Sequence, residues 1–441
     1  MEQKITPAEV HVVLSKYMLA DGYDLVVDPE KSNGCNLVDS KSGETYLDYF
    51  SFFASMPIGF NHSEMSSAEF INEIGKVALH KISNSDFYTT TMAEFVDTMA
   101  ETAMPAYMKK MFFISGGALA VENALKTAFD WKVRKNFEKG CKEEKGTKII
   151  HFKNAFHGRT GYTLSLTNTA DPRKYKYFPK FDWPRFDTAP LRFPITDEVI
   201  KEVAAKEKSI ISEIETYCKA NADDIAALII EPIQAEGGDN HFRNEFFQEL
   251  RRLADTYEFL LIFDEVQTGG GITGKMWAHQ HFEVEPDIIC FGKKFQICGI
   301  MVGDRVLSVK NNCFEESSRI NSTWGGSLVD MKRSTKYLEI MKKENLLGNA
   351  TLLGNKIKEG LAKLVEKTGK ISNVRGVGLF IAFDMESQSI RNKFLKMCMK
   401  EEKLIILPCG TLSVRLRPFL DIKEDAVSDG LARMEKILNK I

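Results

Sequence analysis

The chain has 441 residues, 44% hydrophobic and 27% charged, a balance suited to a soluble globular protein long enough for two domains. Its net charge of −2 offers no general attraction to nucleic acid or to an acidic membrane, and no apolar stretch approaches the length of a membrane span. The stretch Met1 to Glu9 lacks the look of a secretory or organelle-targeting segment, and the eight cysteines form no CxxC pair, so they offer neither a zinc knuckle nor a redox motif; reduced thiols in the cytoplasm and no bound metal are expected.

In chain order, the first sixty residues alternate short strand-like pieces with turns. Asn36–Asp39, a Ser-Lys-Ser-Gly turn and Thr45–Tyr49 read as a hairpin. Met111–Ile114 reads as a strand, and Gly116-Gly117 opens a helix from Ala118 to about Val133. The mixed charge run Lys132–Lys148 reads as a solvated helix end and loop. Lys148–Phe152 is the next strand, and Ala226–Ile230 follows a long polar helix. Phe259–Phe263 then runs into Asp264-Glu265-Val266-Gln267, and Pro286–Gly292 runs into Lys293. These strands are continuously apolar rather than alternating, which points to a parallel sheet buried on both faces with helices between its strands. After Trp324-Gly325-Gly326 a single long helix is expected to reach Asn349. The last hundred residues mix helices with the strand-like runs 378–383, 404–407 and 412–416. The expected fold class is therefore α/β, with a mostly parallel central sheet flanked by helices. Residues 61–330 would form the large domain, and residues 1–60 would pack with 331–441 as a smaller, discontinuous α+β domain.

In an open parallel sheet, ligands bind beyond the C-terminal ends of the strands, and the polar residues of interest fall there. Gly116-Gly117-Ala118 lies between a strand and a helix; it is either a simple turn or a phosphate cradle at a helix N-terminus. Phe156 and Arg159 follow the next strand, where they fit a core aromatic and a surface arginine or a ring-stacking group and a carboxylate holder. Glu231 and Glu236 share a loop at the same edge. Asp264 and Lys293 are an acid and an amine delivered by strand ends. That is what pyridoxal phosphate requires: an amine to condense with its aldehyde, and a carboxylate to keep its ring nitrogen protonated. Near the C-terminus, the alternation of Val414-Arg415-Leu416-Arg417 puts both arginines on one face of a strand. Gly269–Met276 imitates a phosphate-binding loop of nucleotide hydrolases, but Met276 stands where a magnesium-holding Ser or Thr is needed, and the loop lacks its own preceding strand.

Taken together, these segments resemble the class III pyridoxal-phosphate aminotransferases, and among them the lysine ε-aminotransferases, from about Asn33 to Leu420. The resemblance is carried by Gly116–Lys126, His157–Thr169, Pro179–Arg185, Asp264–Gly269, Phe291–Lys294 and Asn321–Gly326. It implies the transferase fold type I and a ping-pong exchange. L-lysine would give up its ε-amino group to 2-oxoglutarate; ornithine, acetylornithine or 4-aminobutyrate are the alternative donors, and a non-catalytic scaffold is a further alternative. It also implies roles. Lys293, rather than the adjacent Lys294, would carry the cofactor, and Asp264 would pair with its ring nitrogen. Gly117 and Ala118 would cradle the phosphate, helped by Thr323 from a second subunit of a homodimer. Phe156, Glu231 and Gln267 would surround the ring. Arg159, Asn321, Glu236 and Arg415 would meet substrate, with Glu236 and Arg415 acting as a charge switch. Three positions depart from the family pattern: Ser115 in place of an acid, Ala235 in place of Gly, and Phe295 in place of a small polar residue.

Overall fold

In the computed structural model, which describes residues 5–221 and 223–441, the chain is organised around a seven-stranded sheet. Its strands are β1 (Met108–Ile114), β2 (Lys148–Phe152), β3 (Arg185–Phe186), β4 (Ile225–Ile230), β5 (Leu260–Asp264), β6 (Ile288–Phe291) and β7 (Cys298–Gly303). They lie in the order β1-β7-β6-β5-β4-β2-β3. β2 through β6 pair in parallel, whereas β7 runs antiparallel to both β6 and β1. The apolar runs are explained by burial on both faces. Ile149, Ala227, Ile229, Leu260 and Ile262 pack under the helix Gly117–Glu138. Their alternates Ile150, Phe152, Leu228, Ile230, Leu261 and Phe263 pack under the helices Asp197–Asn221 and Asn244–Thr256. A strand with no polar face must be apolar at every position, which is why the sequence shows no alternation here.

The N-terminal strands Val27–Asn33, Asn36–Asp39 and Thr45–Asp48 form a second sheet, with the expected hairpin between the last two. Its fourth strand is Leu404–Ile405, which pairs in parallel with Thr45–Asp48. A third, antiparallel sheet joins Ile371–Val377, Phe380–Met385, Ser413–Leu416 and Leu407–Cys409.

Several expectations need correction. The single helix reaching Asn349 is two helices, Leu328–Lys343 and Leu346–Thr368, broken where Asn345 takes the left-handed conformation at φ 51°. Asparagine tolerates that region better than most side chains, so periodicity alone hides the break. The helix opening at Gly117 runs five residues past Val133, to Glu138. Within the charge run, Lys132 is buried, and its Nζ donates to the Glu258 carbonyl at 2.7 Å. β3 and β7 are additions that the apolar runs did not announce.

Candidate active site

A cavity of about 570 Å³ opens beyond the C-terminal ends of β2, β4, β5 and β6. Ten of the residues singled out from the sequence line it: Gly117, Ala118, Phe156, Arg159, Glu231, Glu236, Asp264, Gln267, Lys293 and Arg415. Asn321 and Thr323 do not. They sit in an exposed segment outside the cavity of their own chain, where Ser83 Oγ donates to the Thr323 carbonyl.

At one end of the cavity the strands fix the groups. Asp264 closes β5, and its Oδ1 accepts from the Val266 N–H at 3.1 Å. Its Oδ2 lies 2.8 Å from His157 Nδ1, and His157 Nε2 is buried with no hydrogen-bond partner among the described residues. The His157 N–H donates to Thr167 Oγ1 at 3.0 Å, so this histidine is held from its backbone as well. Neighbouring Gly158 cannot be replaced freely: at φ 124°, a Cβ would stand 2.5 Å from Ala118 Cβ. Glu231 accepts from the N–H groups of Phe156 at 3.0 Å and Ala235 at 3.1 Å. Burial raises its pKa to about 7, against the opposing pull of His157.

Lys293 follows β6, with φ at 51°. Burial holds its amine down at about 8, and the guanidinium groups of Arg415 and Arg417 add to that effect. Its Nζ donates to the Phe53 carbonyl at 3.1 Å. Lys294 points elsewhere: it is buried, and its Nζ donates to the Gln267 carbonyl at 3.0 Å. Phe295 stacks on Trp277 with ring centroids 5.0 Å apart, so this departure from the family pattern faces the core and does not line the cavity.

Phe53 reaches the cavity from an unusual turn. Ser51, Phe52, Phe53 and Ala54 all have positive φ, between 39° and 59°. Left-handed conformations cost L-residues about 1–2 kcal/mol each, so neighbours must hold the turn. Asp48 Oδ1 accepts from the N–H groups of Phe50 and Ser51, and Ser51 Oγ donates to the Arg417 carbonyl at 2.6 Å.

At the other end, side-chain charges dominate. Arg415, in the strand Ser413–Leu416, and Arg417, one residue past its end, both reach Gln267 Oε1, as alternation requires, and both are buried. Arg415 Nη2 donates to Glu236 Oε2 at 2.6 Å, and Nη1 to Gln267 Oε1 at 3.3 Å. Arg417 pairs with Asp239 at 2.6 Å, with both side chains fully shielded from solvent, and its guanidinium lies 3.4 Å from the centroid of the Phe380 ring. Glu236 Oε1 is bound by Lys174. Burial alone would raise the Glu236 pKa, but Arg415 and then Lys174 pull it below the ordinary carboxylate value. His157, Lys174, Phe53 and Asp239 were not singled out from the sequence. Only His157 left a signal, as the middle of the Phe156–Arg159 run.

These parts fit pyridoxal phosphate. Gly117 opens a 22-residue helix whose free N–H groups suit a phosphate, in a cradle where a Cβ would meet Val266 Cγ1 at 2.8 Å. Lys293 offers a partly neutral amine to an aldehyde, Asp264 a buried carboxylate to a ring nitrogen, and Phe156 and Val266 apolar wall.

Comparison with known proteins agrees. The family model for Aminotransferase class-III matches residues 18–438. An L-lysine-epsilon aminotransferase of Mycobacterium tuberculosis is 44% identical over 435 residues, covering 98% of this chain and 96% of that one. The protein of that name from Streptomyces clavuligerus is 42% identical, over 96% of this chain and 92% of its own. The 4-aminobutyrate aminotransferase of Schizosaccharomyces pombe is 31% identical over the same shares. The solved lysine aminotransferase from M. tuberculosis superposes with a TM-score of 0.96 at 43% identity, covering 99% of each chain. This chain belongs to the class III aminotransferases.

Proposed function

We propose that the chain is an L-lysine 6-transaminase, which moves the ε-amino group of L-lysine to 2-oxoglutarate and releases 2-aminoadipate 6-semialdehyde and L-glutamate. Pyridoxal phosphate, when bound, supplies the electron sink that loosens the proton on the substrate carbon and carries the amino group between the two half-reactions. Lys293 anchors the cofactor through Nζ and, once freed, takes the proton from the substrate carbon as a general base, a role that its lowered pKa suits. Asp264, oriented by His157, holds a proton on the ring nitrogen. The helix N-terminus at Gly117 and Ala118 binds the phosphate. Phe156 would pack on the ring of the cofactor, with Glu231 and Gln267 at its polar edge, since all three line the cavity. Arg159 takes the distal carboxylate of either substrate. Thr323 and Asn321, exposed in their own chain, reach the cavity of a second copy, so the working unit is a homodimer with two equal sites. Residues 1–60 and 331–441 act as one small domain against 61–330. The same reading places the enzyme in the cytoplasm, with free thiols at all eight cysteines.

The observation that carries the substrate reading is the pairing of buried Arg415 with Glu236. 2-Oxoglutarate brings one carboxylate beside its reacting carbon and one distal to it. Lysine brings a single carboxylate, far from its ε-carbon. Arg415 is needed only for the keto acid, and Glu236 neutralises it while lysine is bound. An unpaired buried charge would otherwise cost roughly 3–5 kcal/mol. Ornithine, acetylornithine and 4-aminobutyrate pose a similar charge problem, and the 42–44% identical relatives named for lysine favour lysine over them.

The test is a side-by-side assay of L-lysine, L-ornithine, N-acetylornithine and 4-aminobutyrate with 2-oxoglutarate. Lysine should give the highest kcat/KM; a faster ornithine or 4-aminobutyrate reaction would overturn the substrate. A purified protein without visible absorbance after incubation with the cofactor would overturn the enzyme in favour of a scaffold. Glu236→Ala should slow the lysine half-reaction on the order of tenfold, spare the 2-oxoglutarate half and let α-amino donors such as glutamate compete better.

A further inference from the structure

Glu236 has a second partner and a second space. Its Oε2 meets Arg415 at 2.6 Å, while its Oε1 meets Lys174, at the end of the short turn Pro172–Lys174. The two cations grip opposite oxygens of one carboxylate. Lys174 Nζ also lies 5.7 Å from the centroid of the Phe156 ring, so it stands at the rim of the active-site cavity. Behind this bridge lies another cavity, of about 440 Å³, to which both Glu236 and Lys174 contribute walls. Arg391 lines it as well. That arginine is 5% exposed and donates to the Gly410 carbonyl at 3.0 Å and to Asn392 Oδ1 at 2.9 Å, and among the described residues it has no carboxylate partner. The Glu236 main chain is fastened to the same wall, because the Gly410 N–H donates to its carbonyl at 2.9 Å. With the main chain held, any exchange of partners by Glu236 falls to its side chain.

From this arrangement we infer that Lys174 is a positioning residue for the charge switch: it holds Glu236 on the side of the second cavity, facing Arg391, whenever a substrate carboxylate takes Arg415. The inference rests on the switch reading of Glu236 and Arg415, and it answers a question that reading leaves open. A glutamate that leaves one arginine becomes a partly buried charge in its own right, with the same desolvation problem as the arginine it left. With Lys174 in place, Glu236 keeps one ion pair in both half-reactions, and only the Arg415 partner is exchanged. Lys174 thus lowers the barrier to admitting 2-oxoglutarate and contributes nothing that lysine binding requires. A fixed surface ion pair would behave differently, since exposed pairs contribute little and do not select between substrates.

Single-turnover absorbance of the holoenzyme separates the two half-reactions. Lys174→Met should weaken saturation by 2-oxoglutarate by about fivefold or more, with the loss falling on that half-reaction and not on the lysine half, and Lys174→Arg should restore it. In a Glu236→Ala background, Lys174→Met should add nothing, because its effect passes through Glu236. Equal loss in both halves, no loss in either, or full additivity with Glu236→Ala would overturn the role of Lys174. The Glu236→Ala variant alone keeps the two readings apart. If it separates the half-reactions while Lys174→Met does not, the switch stands and the positioning role falls. If Glu236→Ala slows both halves alike, the switch itself falls.

Discussion

The two ends of the active-site cavity are built from different materials. At the Lys293–Asp264 end, the groups stand at strand termini or in the loops just beyond them, and main-chain N–H groups help to fix them: Asp264 by the Val266 N–H, His157 through its own N–H to Thr167 Oγ1, Glu231 by two N–H groups. At the Arg415–Glu236 end, the groups are held mainly by one another, through ion pairs among Glu236, Arg415 and Lys174 beside the pair Arg417–Asp239. Backbone bonds resist a change of partner, whereas side-chain ion pairs can exchange one carboxylate for another. The first end suits a group that stays for every cycle, and the second suits two substrates with different charges.

Breaking the fixed end should have the largest effect. Lys293→Ala should abolish both turnover and covalent attachment of the cofactor, read as loss of visible absorbance that borohydride can trap, while Lys294→Met should keep the attachment. Because Lys294 Nζ satisfies the Gln267 carbonyl, that second variant should lose about 1–3 kcal/mol of stability. Borohydride-trapped cofactor found on Lys294 would contradict the division between them.

Next in size is the foundation of the exchangeable end. Arg417→Met leaves Asp239 buried without its partner and should destabilise the protein by roughly 3–5 kcal/mol in urea unfolding. Adding Asp239→Asn should recover part of that loss. Two losses that simply add would show that the pair is not coupled.

The smallest effect couples the two ends. The folded-state pKa of Lys293 is depressed to about 8, so its amine gains its neutral, nucleophilic form as pH rises through that value. Capture of pyridoxal phosphate by the cofactor-free protein should therefore accelerate across that range. Arg415→Met removes one of the cations that hold the pKa down, so the rise should move to higher pH. A profile that Arg415→Met leaves in place would show that the two ends are electrostatically independent.

The fixed end was largely legible in the sequence, and the exchangeable end only by halves. Asp264 and Lys293 could be found because a buried strand forces an apolar run, and a polar residue closing such a run stands out. Arg415 and Arg417 could be placed on one face by parity alone. Lys174 could not, because in sequence it is one of several cations in a polar loop, and only the fold brings it to Glu236. Nothing within Ser51–Ala54 signals a left-handed turn, since it is held from outside that stretch, by the carboxylate of nearby Asp48 and by the tertiary bond from Ser51 to the Arg417 carbonyl. β7 escaped notice because its antiparallel course follows a tight turn after Lys293, where an apolar run reads equally well as loop or core.

That strand has a consequence for the order in which the molecule is assembled. β1, which leads into the Gly117 cradle, is an edge strand whose neighbour in the sheet is β7, with Ile114 opposite Cys298. The 183 residues that lie between these two positions take roughly 10–40 s to synthesise at about 5–20 residues per second. For that time the cradle strand has no partner in the sheet. The stretch that completes the sheet is also the one that has just delivered Lys293. On the ribosome, the phosphate end and the amine end of the cofactor site are therefore finished together, late, by the same few residues.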